Sequence, residues 1–479
     1  LLNNCLQAKE SEGLKEGMRG GVFLLLLVAV GPAQAQAQDF TYTNNNGAIT
    51  ITGYTGPGGN VSVPSTIEGL PVTSIGDSAF FESTNIAKVT IPNGVTNIGD
   101  HAFNGSSLAV VTVGNGVTTI GSNAFGFCHS LTSVIIPDNV TCIKDGAGWV
   151  GGAFTFCTSL TNVTVGRGVT NIGDYAFNSC ALLTSLVIPD GVVRIGGQAF
   201  AGCTSLTNIM VGKSVTTIAD WAFVGCTLTS VTIPNSVTNI GNGVFASCPN
   251  LIAITVDPLS TAYTSVDGVL FNKDQTALIA CPDAKAGSYT IPNTVANIGT
   301  DAFYGCASLT SITIPNSVTN IAVEAFDSCG LTNVTIPDSV SSLGSFLFNG
   351  CNYLRGIYFQ GNAPSLMWYE TPGFLSAYDA TVYYLAGTQG WGASFGGSHA
   401  ALWNPQPQPN DGNFGVRQSH FGFNITGTPD IPIVVEATTN LDAQSWVPLQ
   451  SCTLTNGLIY FSDAQWRNYS GRLYRIRSP

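Results

Sequence analysis

The sequence predicts a repeat solenoid, with one β-strand plus a short helix or turn in each coil of about 23 residues, followed by a small antiparallel β domain. Three observations carry this. The segment IPNSVTNIGNGVFASCPNLIAITV at 233–256 recurs with small changes, its strand-end apolar residue reappearing at Ile91, Val113, Ile136, Val165, Ile188, Val211, Ile233, Val256, Ile291, Ile314, Ile336 and Phe359. Nine of the eleven intervals between these positions are 22 or 23 residues, and the other two are 29 and 35. After residue 410 the period disappears, and five short alternating runs separated by Gly, Asn and Pro replace it.

The chain opens on what reads as an export signal. Met18 and Arg19 precede an apolar run at 22–30, then Gly31, Pro32 and the small-residue stretch AQAQA at 33–37. Nine apolar residues are too few to span a bilayer, which takes about 20, but suit a signal-peptide core. Residues 1–37 are therefore expected to be a signal peptide with an upstream leader. No later run approaches spanning length, so no transmembrane helix is expected and the protein is exported, secreted or surface-held.

A cap comes next, at 39–62, where two alternating runs flank the turn Asn44-Asn45-Asn46-Gly47. Repeats follow over 63–360. In LTNVTV at 160–165, apolar residues at relative positions 1, 4 and 6 form the L-x-x-L-x-L pattern of a leucine-rich repeat strand, with Val163 and Val165 inward and Thr164 outward. Pro or Gly after the strand, as at Pro189, Pro234 and Gly166, opens a turn. Ile-Gly-x-x-Ala-Phe then places Ala176 and Phe177 behind the sheet. One unit closes no core, whereas stacked units each bury a Phe and several aliphatics at roughly 1.5–3 kcal/mol apiece.

The 29-residue interval arises from an insertion at 144–152 that carries Trp149, and the 35-residue interval from a stretch at 263–289 that lacks Ala-Phe and contains the strand-like run GVLFNKD. Both are expected to hold specificity. A closing segment spans 361–404, the Pro-rich stretch at 405–410 reads as a stiff linker, and 411–479 as a small β domain packing Phe421, Val434, Trp446, Leu449, Tyr460 and Tyr474.

These repeats resemble the BspA-like leucine-rich repeat family, also called the treponemal type, whose units read Ile-Pro-x-x-Val-Thr-x-Ile-Gly-x-x-Ala-Phe-x-x-Cys-x-x-Leu-Thr-x-Val. Eleven copies of the Ile-Gly-x-x-Ala-Phe element or near variants fall between Ile75 and Phe348, about 60% of the chain. The resemblance implies an extracellular or cell-surface protein, in some members an adhesin, and carries over no catalytic residue; no cofactor is expected. The closing segment and the C-terminal module are similar to those of other secreted bacterial repeat proteins, and surface retention is the role expected of the module.

Charge narrows the partners. Residues 39–409 hold 8 Lys/Arg against 20 Asp/Glu, the whole of the net charge of -12, which makes nucleic acid a poor partner and leaves an extracellular protein or polysaccharide. Catalytic signals are weak: Ser394 lies in a G-x-S-x-G match within a glycine-rich loop, and neither paired carboxylates nor clustered histidines occur. Nine cysteines from Cys128 to Cys351 stand three residues after the repeat Phe, a column read as buried thiols, with disulfides between coils as the alternative. Asp77, Asp100, Asp174, Asp138, Asp190 and Asp338 are read as satisfying turn amides, with calcium bridging as the alternative.

Candidate binding residues fall in two places. Outward strand positions Thr90, Thr112, Ile135, Thr164, Val187, Met210, Thr232, Thr255, Thr290, Thr313, Thr335 and Tyr358 line the sheet that a solenoid presents to partners, and the apolar interruptions argue against an ice-binding threonine array. Tyr175, Gln198 and Trp221, each just before Ala-Phe, form a ridge near Trp149 that reads as an aromatic platform. The expected function is a non-catalytic binding or adhesion protein; a self-associating structural protein of the envelope or matrix is the alternative.

Overall fold

A computed structural model describes residues 37–146, 151–366, 379–440 and 446–478. Residues 1–36 of the expected export segment, and Trp149, lie outside the described residues. Each regular coil supplies two strands, such as Asn162–Thr164 and Asn171–Ile172. Both stack parallel and in step with their equivalents one coil away: Ser133, Val134 and Ile135 oppose Asn162, Val163 and Thr164, while Cys142 and Ile143 oppose Asn171 and Ile172. Val163 and Val165 are buried and Thr164 is exposed, the alternation of a strand with one dry face.

Where the sequence leaves helix or turn open, the Ala-Phe segment takes turns. Its amides alternate in direction: those of Ala176, Asn178 and Cys180 donate to carbonyls three residues back, while those of Tyr175, Phe177 and Ser179 donate to Gly197, Ala199 and Ala201 in the next coil. An α-helix would keep every one of these bonds inside the segment. The alternation requires two left-handed residues per coil, here Tyr175 and Ser179, both at φ 59°. Equivalent positions carry Gly105, Gly202, Gly225 and Gly350 in other coils, at φ 69–73°. A non-glycine residue held there costs roughly 1–3 kcal/mol, part of which glycine gives back through its freer unfolded chain. Gln198→Gly (φ 52° at Gln198) is therefore expected to raise stability by about 0.5–1 kcal/mol, read as a higher denaturant midpoint with an unchanged slope.

Phenylalanine forms the spine of the core. Phe103, Phe125, Phe154, Phe177, Phe200, Phe223 and Phe245 stack with ring centroids 5.1–5.9 Å apart and planes within 5° of parallel. The coil repeat, close to the ~5 Å spacing of neighbouring strands, sets this distance. All are essentially inaccessible. Beside them runs the thiol column, in which the Sγ of Cys157, Cys180, Cys203 and Cys226 donates at 3.1–3.3 Å to the carbonyls of Phe125, Phe154, Phe177 and Phe200. Each carbonyl also accepts the amide of the Cys in its own coil. A small side chain with one weak donor suits that buried lone pair. All the described cysteines are free thiols, and burial pushes Cys203 and Cys248 up to about 12, which keeps them protonated and inert.

The irregular coil divides the core in two. Tyr263–Val266, Val269–Asn272 and Ala277–Ala280 form an antiparallel meander around the left-handed turn at Asp267 and Gly268, and Ala277–Ala280 restarts parallel stacking against Asn297–Ile298. The aromatic column stops at Phe245 and resumes at Phe303, Phe326 and Phe348. At the N-terminal end, Phe40–Asn45 and Ala48–Tyr54 form a hairpin over left-handed Asn46 and Gly47. At the other end, Thr381–Leu385 and Ser398–Trp403 extend the strand stack beyond Gly356–Phe359. Trp391 seals that end, stacked on Tyr384 at 5.3 Å and tilted against Phe359 at 4.9 Å.

The C-terminal module is two facing sheets. Gln406–Gln408 pairs with His420–Thr426, so the Pro-rich stretch expected to be a linker contributes a strand of the module. Gly415–Arg417 and Leu458–Asp463 complete that sheet, while Val447–Thr453, Pro432–Thr438 and Leu473–Arg477 form the other. Phe423, Ile425, Ile433, Val435, Leu454 and Phe461 fill the space between. Tyr460, expected inside, faces outward, because Phe461 pairs with buried Phe423 and alternation turns its neighbour away. The module and the last coils share one core: Tyr358 and Tyr383 stack at 4.8 Å within it, and the indole of Trp403 donates to the Pro432 carbonyl at 3.0 Å.

Candidate binding surface

Strand alternation puts one residue per coil on the outer side of the sheet. Thr112, Thr164, Thr232, Thr255, Thr290 and Thr313 are exposed there, and Thr90 and Thr335 are half-buried. Thr232 and Thr255 touch through their hydroxyls at 2.9 Å. Tyr358 departs from the sequence expectation. It is 4% exposed, covered by Tyr383, Trp403 and the C-terminal module, so it belongs to a core rather than to a free surface.

Sequence reading treats Ile135, Val187 and Met210 as interruptions of a threonine column, yet they are 67%, 59% and 64% exposed. With Thr164 between them they form one exposed row over four successive coils, three of its members apolar, with Ile135 opposite Thr164 and Val187 opposite Met210. Two open depressions of about 400 and 540 Å³ flank it, meeting at Arg167, Val187 and Pro189. Along its edge the turn column alternates in charge: Asp138, Arg167, Asp190, Lys213. The carboxylates of Asp138 and Asp190 accept the backbone amides of Arg167 and Lys213 at 2.8 and 2.9 Å. Asp77, Asp100 and Asp174 hold the amides of Asp100, Ser122 and Gly197 in the same way. These aspartates thus bind each coil to the next, and no group of three or more metal-ligating side chains able to hold an ion occurs among the described residues. Arg167 and Lys213 are exposed and form no ion pair among the described residues, whereas Lys144 and Arg194 are paired with Asp100, Asp145 and Asp174.

The ridge has a different geometry from the expected platform. Tyr175 and Gln198 are half-buried, and Trp221 reaches across the next coil to donate its indole N–H to Asp301 Oδ2 at 3.1 Å. Gly243 makes room for it: a Cβ there would lie 2.7 Å from the indole. Trp221 therefore clamps the coils on either side of the meander. Asp301 lies 5% exposed with its other oxygen unpartnered, and Asp283 is 4% exposed with one unpartnered oxygen. Burial first, then the charges of Glu324, Asp327 and Asp220, push Asp301 up to about 7 against the lowering effect of the Trp221 hydrogen bond; burial does the same for Asp283.

Ser394 sits exposed on a tight hairpin facing His399, with no helix after it, so the strand-turn-helix geometry of a nucleophile elbow is not formed. No helix among the described residues is long and apolar enough to cross a membrane.

Comparison with known proteins places this scaffold. The family model of the BspA type leucine rich repeat region matches residues 60–180, 150–252 and 280–369, leaving out the meander. A leucine rich cell surface protein from Faecalibacterium prausnitzii is similar at 29% identity, over 71% of this chain and 96% of that one, with a TM-score of 0.53. A leucine-rich repeat protein from Bacteroides ovatus matches at 24% identity over 76% and 98%, TM-score 0.45, and the pneumococcal vaccine antigen PcpA at 19% over 77% and 98%, TM-score 0.45. No curated protein matches the chain. The repeat sequence, the stacked coils and a family match over more than half of the length agree: the chain belongs to the BspA-type leucine-rich repeat family.

Proposed function

We propose that the protein is a non-catalytic binding protein of the cell exterior whose strand-lined face holds a protein partner through Ile135, Val187 and Met210. The observation that carries this reading is the exposed apolar row itself. Large apolar side chains left in water on three of four successive coils, beside two cations that form no ion pair among the described residues, match a partner segment that brings apolar and acidic side chains together. The likeness to a leucine rich cell surface protein supports the location. The C-terminal module would retain the protein at the surface.

The full chain is the material to test, because separating module from repeats would uncover Tyr358 and Tyr383. Immobilised extracellular-matrix proteins should capture it saturably, and Val187→Asp with Met210→Asp should weaken capture at least tenfold, while Thr313→Ala leaves it unchanged. Equal capture of the double variant would overturn the assignment of the row. Concentration-dependent sedimentation of the chain alone, lost in the same variant, would instead make the row a contact between copies.

A further inference from the structure

A hollow lined by polar side chains lies on the outer face of the C-terminal module, away from the repeat row. In the sheet formed by Gly415–Arg417, His420–Thr426 and Leu458–Asp463, alternation sends Phe421, Phe423 and Phe461 toward the core. The opposite face carries Arg417 beside His420, Gly415 beside Gly422 and Ser462, and Asn424 beside Tyr460. This pattern makes a hollow. The paired glycines leave this face without side chains of their own: a Cβ on Gly415 would meet nothing within 4 Å, and one on Gly422 would lie 2.3 Å from the Tyr460 hydroxyl. Tyr460 thus lies down against the sheet, 42% exposed, with its free face turned to the hollow. The resulting depression, about 770 Å³, is lined by Arg417, His420, Asn413, Asn424, Tyr460 and Ser462, with Gln418 at the hairpin turn.

Its chemistry is selective. No carboxylate lines it, and Asp411 beside it is engaged, accepting the amide of Asn413 at 2.9 Å and the side-chain N–H of Asn424 at 2.7 Å. Those bonds fix the Asn424 amide so that its carbonyl oxygen is left to accept from a ligand hydroxyl. Three of the module's five arginines are committed: Arg472 pairs with Asp463, and Arg475 and Arg477 with Glu436. Arg417 instead donates to the Gly412 carbonyl, which orients the guanidinium; it forms no ion pair among the described residues, although its charge reaches Asp411 and helps to hold that carboxyl low. The module as a whole carries five Arg against four Asp and one Glu, so it lacks the acidic excess that would repel an anion from the repeats.

We infer that this hollow binds a polysaccharide bearing carboxylates, of uronic-acid type: Arg417 takes the carboxylate, Asn413, Asn424 and Ser462 take ring hydroxyls, and a sugar face packs on Tyr460. An apolar peptide finds one aromatic ring and no groove. A simple phosphate would use the arginine but neither the ring nor the amides.

The test is calorimetric titration of the full chain with oligogalacturonate, with the same oligosaccharide after reduction of its carboxyls, with inorganic phosphate and with anionic phospholipid vesicles. Saturable binding of the uronate, at least tenfold weaker in Arg417→Gln and in Tyr460→Ala and unchanged in Val187→Asp/Met210→Asp, is expected. Both module variants alter exposed side chains and should melt with the native protein. No uronate binding, equal binding of the reduced sugar or of either module variant, or equally tight binding of phosphate or vesicles would overturn the inference.

Discussion

Asp301→Asn combined with Asp283→Asn is expected to raise the melting temperature of the full chain by several degrees at pH 8 and by clearly less at pH 5. Both carboxyls are buried with an unpartnered oxygen, and neither forms an ion pair among the described residues. Asp301 faces Asp220, Glu324 and Asp327, with only the Trp221 indole as donor; Asp283 lies among Cys248, Cys281, Cys306 and Tyr304. Each group therefore rises from 3.8 to about 7 on folding. A carboxyl raised in this way contributes its stability while protonated, and that contribution falls away as pH climbs from about 4 through about 7. At roughly 1.4 kcal/mol per pH unit, each ionised carboxyl opposes folding by about 4 kcal/mol at pH 8.

Asparagine keeps the shape and the acceptor for Trp221 while removing the charge, so the native protein should melt higher at pH 5 than at pH 8 and the variant should lose that slope. Glu436 does not confuse the comparison. Burial would raise it, but Arg477 and Arg475 hold it below 4.5, so its contribution is lost only in stronger acid. A native melting temperature flat between pH 5 and 8, or a variant less stable than native at pH 8, would refute the account. Because these groups stand where the aromatic column is interrupted, Trp221 fluorescence should follow the same transition.

Phe200→Ala is expected to cost about 3–5 kcal/mol, the largest effect of any single substitution considered. Its ring is fully buried between Phe177 at 5.5 Å and Phe223 at 5.4 Å, in a column with no slack to close the hole. In a stack where each coil contacts only its neighbours, that loss is local. Hydrogen exchange should accelerate in the coils around Phe177, Phe200 and Phe223, while the separate cluster holding Phe303, Phe326 and Phe348 keeps its protection. Phe303→Ala should give the reverse pattern. Uniform acceleration across both clusters would show that the meander transmits cooperativity instead of dividing the solenoid.

Much of the architecture is legible in the sequence, because a solenoid repeats one local pattern. The spacing of apolar residues fixes which side chains point inward, and the recurring Phe and Cys announce columns before any coordinates are seen. The aspartates after the repeat Gly and Pro were legible as amide acceptors for the same reason. The binding surface was only half legible. Strand parity places Ile135, Val187 and Met210 on the outer face, but their continuity as one row depends on coils stacking in register.

Tyr358 obeys the same parity and is nevertheless buried, because a module 50 residues or more downstream closes over it. Likewise Trp221 stays 39% exposed, as the sequence reads it, yet its role as a clamp depends on Asp301, 80 residues away. The sequence by itself determined the coil, its period, its buried columns and its turn chemistry, all of which are set by neighbours within one repeat. Tertiary structure alone decided which outward residues stay in water, which carboxylates are buried, and that Arg417, Asn424 and Tyr460 share a hollow. Those depend on contacts between segments far apart in the chain, and no local periodicity encodes them.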